Sequence, residues 1–259
     1  MNGFRALLGK ELREQLRTYR LPVVAIVFLL FGITSPVLAR FTKELLDALG
    51  AQATGGIQIN IPPPTPADAV GQLVKNLSQF GIFIAILLAM GTVSAEKERG
   101  TAALILTKPA SRLSFLLAKF VAIGINLAVA VVLACAVGYI YTELLFESAA
   151  LPIGGYVAMA ILLWVAIFTY AALTFLGSTL TRSSAAGAGI GFLALIVTGI
   201  IAALPTIGPF MPISLINPAA NLGIGAPAGM DLLGPSIAAL LFIVVPFGLA
   251  WLSFRRQEL

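Results

Sequence analysis

Apolar positions along this chain gather into six long blocks, at approximately 21–39, 77–95, 119–141, 154–180, 186–205 and 234–253. About twenty residues rising 1.5 Å each cross the roughly 30 Å hydrocarbon core of a bilayer. Each block is therefore predicted to be a transmembrane helix, since lipid offers no partner for an unpaired backbone amide. The blocks fall into two sets of three without a convincing internal repeat.

The stretches between blocks carry patterns of their own. Over residues 1–20, Phe4, Leu7, Leu8, Leu12, Leu16 and Tyr19 recur at helical spacing, with Arg5, Lys10, Arg13, Glu14, Arg17 and Arg20 on the other side. A basic amphipathic helix abutting a span is predicted to lie flat as an interfacial elbow, with Leu21-Pro22 opening the first span. Residues 40–76 contain glycines and Pro62-Pro63-Pro64, which break regular structure. Thr65 as N-cap, Pro66 in the first turn and Asp68 at the positive dipole end then predict a short helix resting on the second span. Residues 206–233 are apolar yet crowded with Pro and Gly, too broken for a span and too greasy for a free loop. They are predicted to form an extracytoplasmic re-entrant or cap segment, its backbone covered by protein. A likeness of Gly223–Ala228 to a dinucleotide fingerprint is rejected: no strand precedes it and Pro227 interrupts it.

Composition agrees with the pattern. The 259 residues are 59% hydrophobic and only 10% charged, with a mean hydropathy of +1.01. A water-soluble domain of this length needs roughly 25% charged residues. The expectation is an all-α integral membrane protein, a single transmembrane domain over 1–259. One cysteine and no histidine exclude an internal disulfide and the usual zinc or copper ligand sets. Cys135, inside an apolar run, reads as a small buried hydrophobe.

Charge adds orientation. If the N-terminus is cytoplasmic, thirteen basic residues fall inside and only Arg40, Lys43 and Lys75 outside. That bias predicts a multi-pass protein with both termini cytoplasmic.

Several chemistries are missing. The single Gly-Lys pair, Gly9-Lys10, lacks the spaced glycine of a phosphate-binding loop, and Glu11 stands where that loop needs a hydroxyl. The middles of the spans hold no Asp, Glu, Lys, Arg or His, which argues against proton or ion coupling. Asn126, Thr169, Tyr170, Thr174, Ser178 and Thr198 are mild polar groups expected mostly to bond between helices. No nucleophile–base pair or carboxylate dyad is evident, so no catalytic residue or metal site is assigned, and nothing points to nucleic acid. Gly187 and Gly191 form a G-x-x-x-G pair that lets helices approach closely, within one chain or between two.

The most informative stretch is 94–112, SAEKERGTAALILTKPASR. Glu96, Lys97, Glu98 and Arg99 predict a solvated, salt-bridging turn after the second span. Gly100 permits a sharp change of direction. Thr101–Thr107 can make two helical turns with an apolar surface, Pro109 ends them, and Ser111 caps the next helix. Two turns are unstable alone in water. Held between rigid helices, they present an aliphatic knob ringed by charge, the anatomy of a docking element.

Glu96-Lys-Glu-Arg-Gly-Thr101, an aliphatic run, and Thr107-Lys-Pro-Ala-Ser-Arg112 together resemble the signature of type-2 ATP-binding-cassette (ABC) exporter permeases. The resemblance extends to the elbow with Lys10-Glu11-Leu12, to the six spans, and to Leu215-Ile-Asn-Pro218 before the last one. It implies a coupling helix at about 100–108 docking on a separate ABC ATPase subunit. Two ATPase chains and two permease chains, identical or related, would make the working unit. The coupling residues would be Glu96, Lys97, Glu98, Arg99, Gly100, Thr101, Leu104, Ile105 and Lys108. Glu96 and Glu98 would orient the element or pair with the partner, Arg99 would meet a partner carboxylate, and Leu104 and Ile105 would be the anchors. The chain itself would bind no cofactor, with ATP and magnesium held by the partner ATPase. The alternatives are a mechanical subunit of a larger membrane complex and an ATP-independent carrier or channel.

Overall fold

The computed structural model describes residues 2–53, 62–100, 111–146 and 150–257. Within them the chain is helical, with no strand. The order is α1 (Asn2–Arg17), α2 (Arg20–Ala53), α3 (Pro66–Ala89), α4 (Ser94–Glu98), α5 (Arg112–Leu145), α6 (Ile153–Leu180), α7 (Ser184–Ala202), α8 (Ile216–Gly223) and α9 (Leu233–Arg255). Two 3₁₀ turns, Gly208–Phe210 and Pro212–Leu215, precede α8. Among the described residues six helices are long and apolar enough to cross a membrane, and they coincide with the six predicted blocks.

Boundaries depart from expectation where capping decides them. Thr65 does cap α3: its Oγ1 accepts from the Asp68 amide, and the Asp68 carboxylate accepts from the Thr65 amide at 2.8 Å. The helix begun there is not a separate short one resting on the second span. It runs unbroken into that span, because Ala69, Val70, Leu73, Val74 and Leu77 keep one face buried throughout. At its other end α3 stops at Ala89. A turn over 90–93 intervenes before α4, so the predicted span end at residue 95 falls within a second, shorter helix.

The bend between α1 and α2 lies at Tyr19, just before Leu21-Pro22 opens α2. Tyr19 sits in the left-handed region at φ 58°, and Pro22 occupies the first turn of α2.

α6 is the hub, packed by α3, α5, α7, α8 and α9. Around it Phe120 meets Phe168, Phe175 and Phe247 at centroid distances of 4.9, 5.3 and 4.8 Å. Small residues let the backbones close in. A Cβ on Gly32 would stand 2.6 Å from the Ala134 carbonyl oxygen, so α2 and α5 touch there without side chains between them. Gly187 and Gly191 are both buried within the chain. A Cβ on the first would meet the Met90 carbonyl oxygen at 2.7 Å, and one on the second the Thr174 hydroxyl at 2.2 Å. The pair seats α7 against α3 and α6.

The polar groups at depth divide. Asn126 bonds to Gln15 at 2.8 Å and Tyr170 to Thr198 at 3.1 Å, both between helices. Thr169 and Thr174 instead return their hydroxyls to carbonyls one turn back on their own helix. Cys135 is buried with a free thiol. Residues 208–223 pack where α3 and α6 begin, with Gly223 against Val70 and Met159. The opposite end of the bundle gathers α1, α4 and the start of α5.

Candidate functional site

α1 presents three surfaces rather than two. Leu16 and Tyr19, from the predicted apolar stripe, are exposed. While Leu7 of the same stripe packs part-buried on the core, the fully buried positions are Glu11 and Gln15, one helical turn apart. A two-sided amphipathic reading assigns such residues to water; here they meet polar partners on α5. Lys119, two turns into α5, is 3% exposed and donates to both Glu11 carboxylate oxygens at 3.0 Å. The same ammonium donates to Glu96 of α4 at 2.7 Å and lies 5.2 Å from the centroid of the Phe115 ring. Lys10 joins from the rim, 3.1 Å from Glu11 and Glu14 and 3.7 Å from Glu96. Three elements, α1, α4 and α5, are thus locked by two ammoniums shared among three carboxylates.

The electrostatics follow from that sharing. Burial alone would pull the Lys10 ammonium down, but Glu11, Glu96 and Glu14 hold it above its ordinary value. Burial would raise Glu14, yet the bond from Lys10 and the nearby cations keep its carboxyl below the usual carboxylate range. Oxygens of Glu11, Glu14 and Glu96 approach within 4.8 Å of one another. Lys10 and Lys119 already supply the positive charge among them, which makes the arrangement an ionic lock rather than a metal centre.

α4 is held from a second side. The Ser178 hydroxyl of α6 accepts from the Val93 and Ser94 amides, both at 3.1 Å, satisfying donors left over at a helix start. The Lys97 ammonium donates to the Thr179 carbonyl and sits 5.8 Å from the centroid of the Phe254 ring. Glu96 and Lys97 are therefore turned inward, and the expected solvated turn is a short helix docked on the bundle. Only Glu98, Arg99 and Gly100 are exposed. Gly100 ends α4 in the left-handed region at φ 68°, a conformation for which glycine is the default residue.

The chain resumes with comparable anchorage. The Ser111 side chain accepts from the Ser114 amide at 3.0 Å and caps α5. The Arg112 guanidinium donates to the carbonyls of Phe254, Arg255 and Gln257 at 3.2, 3.0 and 3.0 Å. A cation at the negative end of α9 is stabilising. Gln257 in turn donates to the Thr179 carbonyl at 3.1 Å. Of the residues predicted for coupling, Glu96 and Lys97 fall in this bonded layer and Glu98, Arg99 and Gly100 on its surface. Thr101, Leu104, Ile105 and Lys108 lie outside the described residues.

Gln15 and Gln257 were not assigned from the sequence, Ser178 only as a group bonding between helices, Glu11 and Arg112 only as parts of the family motifs, and Lys119 only as a topology charge. One signal was available: a lysine inside an apolar run demands a partner. Which partner only the packing shows.

A sequence model for the family described as "ABC-2 family transporter protein" matches residues 5–259. The chain belongs to the ABC-2 transporter family. It is 30% identical, over 99% of both chains, to the "Probable ABC transporter permease protein NosY" of Stutzerimonas stutzeri. It is also 26% identical to the uncharacterised transmembrane protein YxlG of Bacillus subtilis (strain 168), over 100% of this chain and 99% of that one. As an ABC-2 transporter protein it is a multi-pass permease subunit, and its six apolar helices are membrane spans.

Proposed function

We propose that this chain is the membrane half of an ABC exporter of the inner membrane, and that residues 96–112 receive the stroke of a separate ATP-hydrolysing subunit. The observation carrying this reading is the anchorage on both sides of 101–110. Before it, α4 is bonded to α1, α5 and α6 through Glu96, Lys97 and the Ser178 hydroxyl. After it, Arg112 ties α5 to the end of α9. A push delivered between two clamped points moves helices instead of dissipating in a loop.

In this reading both termini and α4 face the cytoplasm, supported by the bias of basic residues to that end. α1 lies in the inner interface with Leu16 and Tyr19 toward lipid. Residues 206–233 cap the outer end. Leu104 and Ile105 enter a groove on the ATPase, Glu98 pairs with a cation there, and Gly100 sets the angle. Two such chains pair with two ATPases, which hold the ATP and magnesium. A relative named as a probable ABC transporter permease protein supports the assignment.

The test is co-purification and transport-coupled ATP hydrolysis for Leu104→Asp and Gly100→Val. Both variants are expected to insert and fold normally. Leu104→Asp should lose at least tenfold in ATPase binding, and Gly100→Val should bind but couple poorly. Normal binding and transport by Leu104→Asp would overturn the docking assignment.

A further inference from the structure

A cavity of about 450 Å³ opens beside the ionic lock, enclosed by α1, the start of α2, the α3–α4 turn and α5. Its floor is apolar, Leu88 and Ile123, and its inner wall is the bonded set Lys10, Glu11, Glu14, Glu96 and Lys119. Two further cations line it: Arg20, the first residue of the first span, and Arg99, which directly follows the second. Arg20 lies near enough to Glu14 to lower that carboxyl. Among the described residues, however, neither guanidinium makes an ion pair or a side-chain hydrogen bond.

Lys10 and Lys119 are committed to carboxylates, whereas two forked donors facing one cavity are not. A guanidinium matches the oxygens of a phosphate in paired hydrogen bonds. The space corresponds to on the order of fifteen water volumes, enough for a phosphate with its glycerol. Its depth is set by the ends of two spans, the level of lipid headgroups. Exposed Val23 on α2 and Leu87 on α3 continue the neighbouring surfaces into the hydrocarbon, offering a course for acyl chains.

We infer that this cavity is a binding site for the headgroup of an anionic phospholipid, with Arg20 and Arg99 taking its phosphate. The lipid bridges the elbow, the coupling element and α5 from the membrane side, next to the lock that joins them from the protein side. The inference does not depend on a partner ATPase and is tested without one.

The experiment measures the unfolding temperature of the full chain in phosphatidylcholine–detergent micelles, with and without phosphatidylglycerol, alongside native mass spectrometry of retained lipid. Phosphatidylglycerol should raise the unfolding temperature by several degrees and survive as a bound adduct. Arg20→Gln/Arg99→Gln should lose both effects, while Arg13→Gln/Arg17→Gln, with the same net charge but exposed on α1, should keep them. If the first double variant does not purify folded, Arg99→Gln alone should retain at least fivefold less adduct than wild type. Stabilisation by millimolar glycerol 3-phosphate without anionic lipid would assign the site to a soluble phosphate and overturn the lipid. An effect retained by Arg20→Gln/Arg99→Gln, or lost equally in Arg13→Gln/Arg17→Gln, would overturn the site.

Discussion

Lys119 shows what one residue does here. A buried ammonium is costly unless fully paired, and removing one member of a buried ion pair costs more than the pair is worth. Lys119→Met takes the buried ammonium away from Glu11 and Glu96, and should destabilise the detergent-solubilised chain by about 3 kcal/mol. Adding Glu11→Leu should recover most of that loss, because Lys10 still stands 3.7 Å from Glu96. Unfolding curves for the two single variants and the double give the coupling energy directly. Tyr19 tests the bend between α1 and α2 in the other sense. At φ 58° an L side chain is strained, so Tyr19→Gly should be neutral or stabilise by up to ~1 kcal/mol, and Tyr19→Val should lower the unfolding temperature. Neither role was legible from residue type. Hydropathy patterning sends Glu11 and Gln15 to solvent, and it has no term for a tyrosine forced into the left-handed region.

Elements were the most legible level, for a reason specific to lipid. A long apolar run in a bilayer can satisfy its backbone only as a helix, so all six spans followed from length and composition. Their ends did not, because caps and tertiary bonds set them: the box at Thr65 extended α3 outward, and the Ser178 hydroxyl stabilised a break before α4. Packing between the helices rests on small residues. Gly191→Ala would bring a methyl to 2.2 Å from the Thr174 hydroxyl and should cost about 1–3 kcal/mol by displacing α7 from α6. Gly189, two residues earlier, has nothing within 4 Å of its Cβ position. Gly189→Ala should leave the unfolding temperature unchanged, and a comparable loss in both variants would refute the packing argument.

Across the whole molecule the two ends differ in kind. One gathers the ionic lock, the clamped flanks of 101–110 and the unpaired arginines; the other carries the Thr65 cap and the turns before α8. The sidedness proposed for them is open to direct test. In a Cys135→Ala background, Pro63→Cys should react with a membrane-impermeant maleimide on intact cells, and Arg182→Cys only after lysis. The reverse pattern would place the coupling segment outside and end the functional proposal. Wild-type chain should react little in either case, since its one thiol is buried.

Sequence alone determined that this protein lives in a membrane, that it crosses six times as helices, and that a charged, glycine-hinged segment follows the second crossing. Those properties are local or additive: each depends on the run of residues at hand and on the solvent around it. Only the tertiary structure decided that Glu96 and Lys97 point inward, that α1 docks through a polar stripe, and that Lys119 joins α1, α4 and α5. Such bonds link positions from 23 to 111 residues apart, and a buried charge carries no mark in the sequence saying which other charge will answer it.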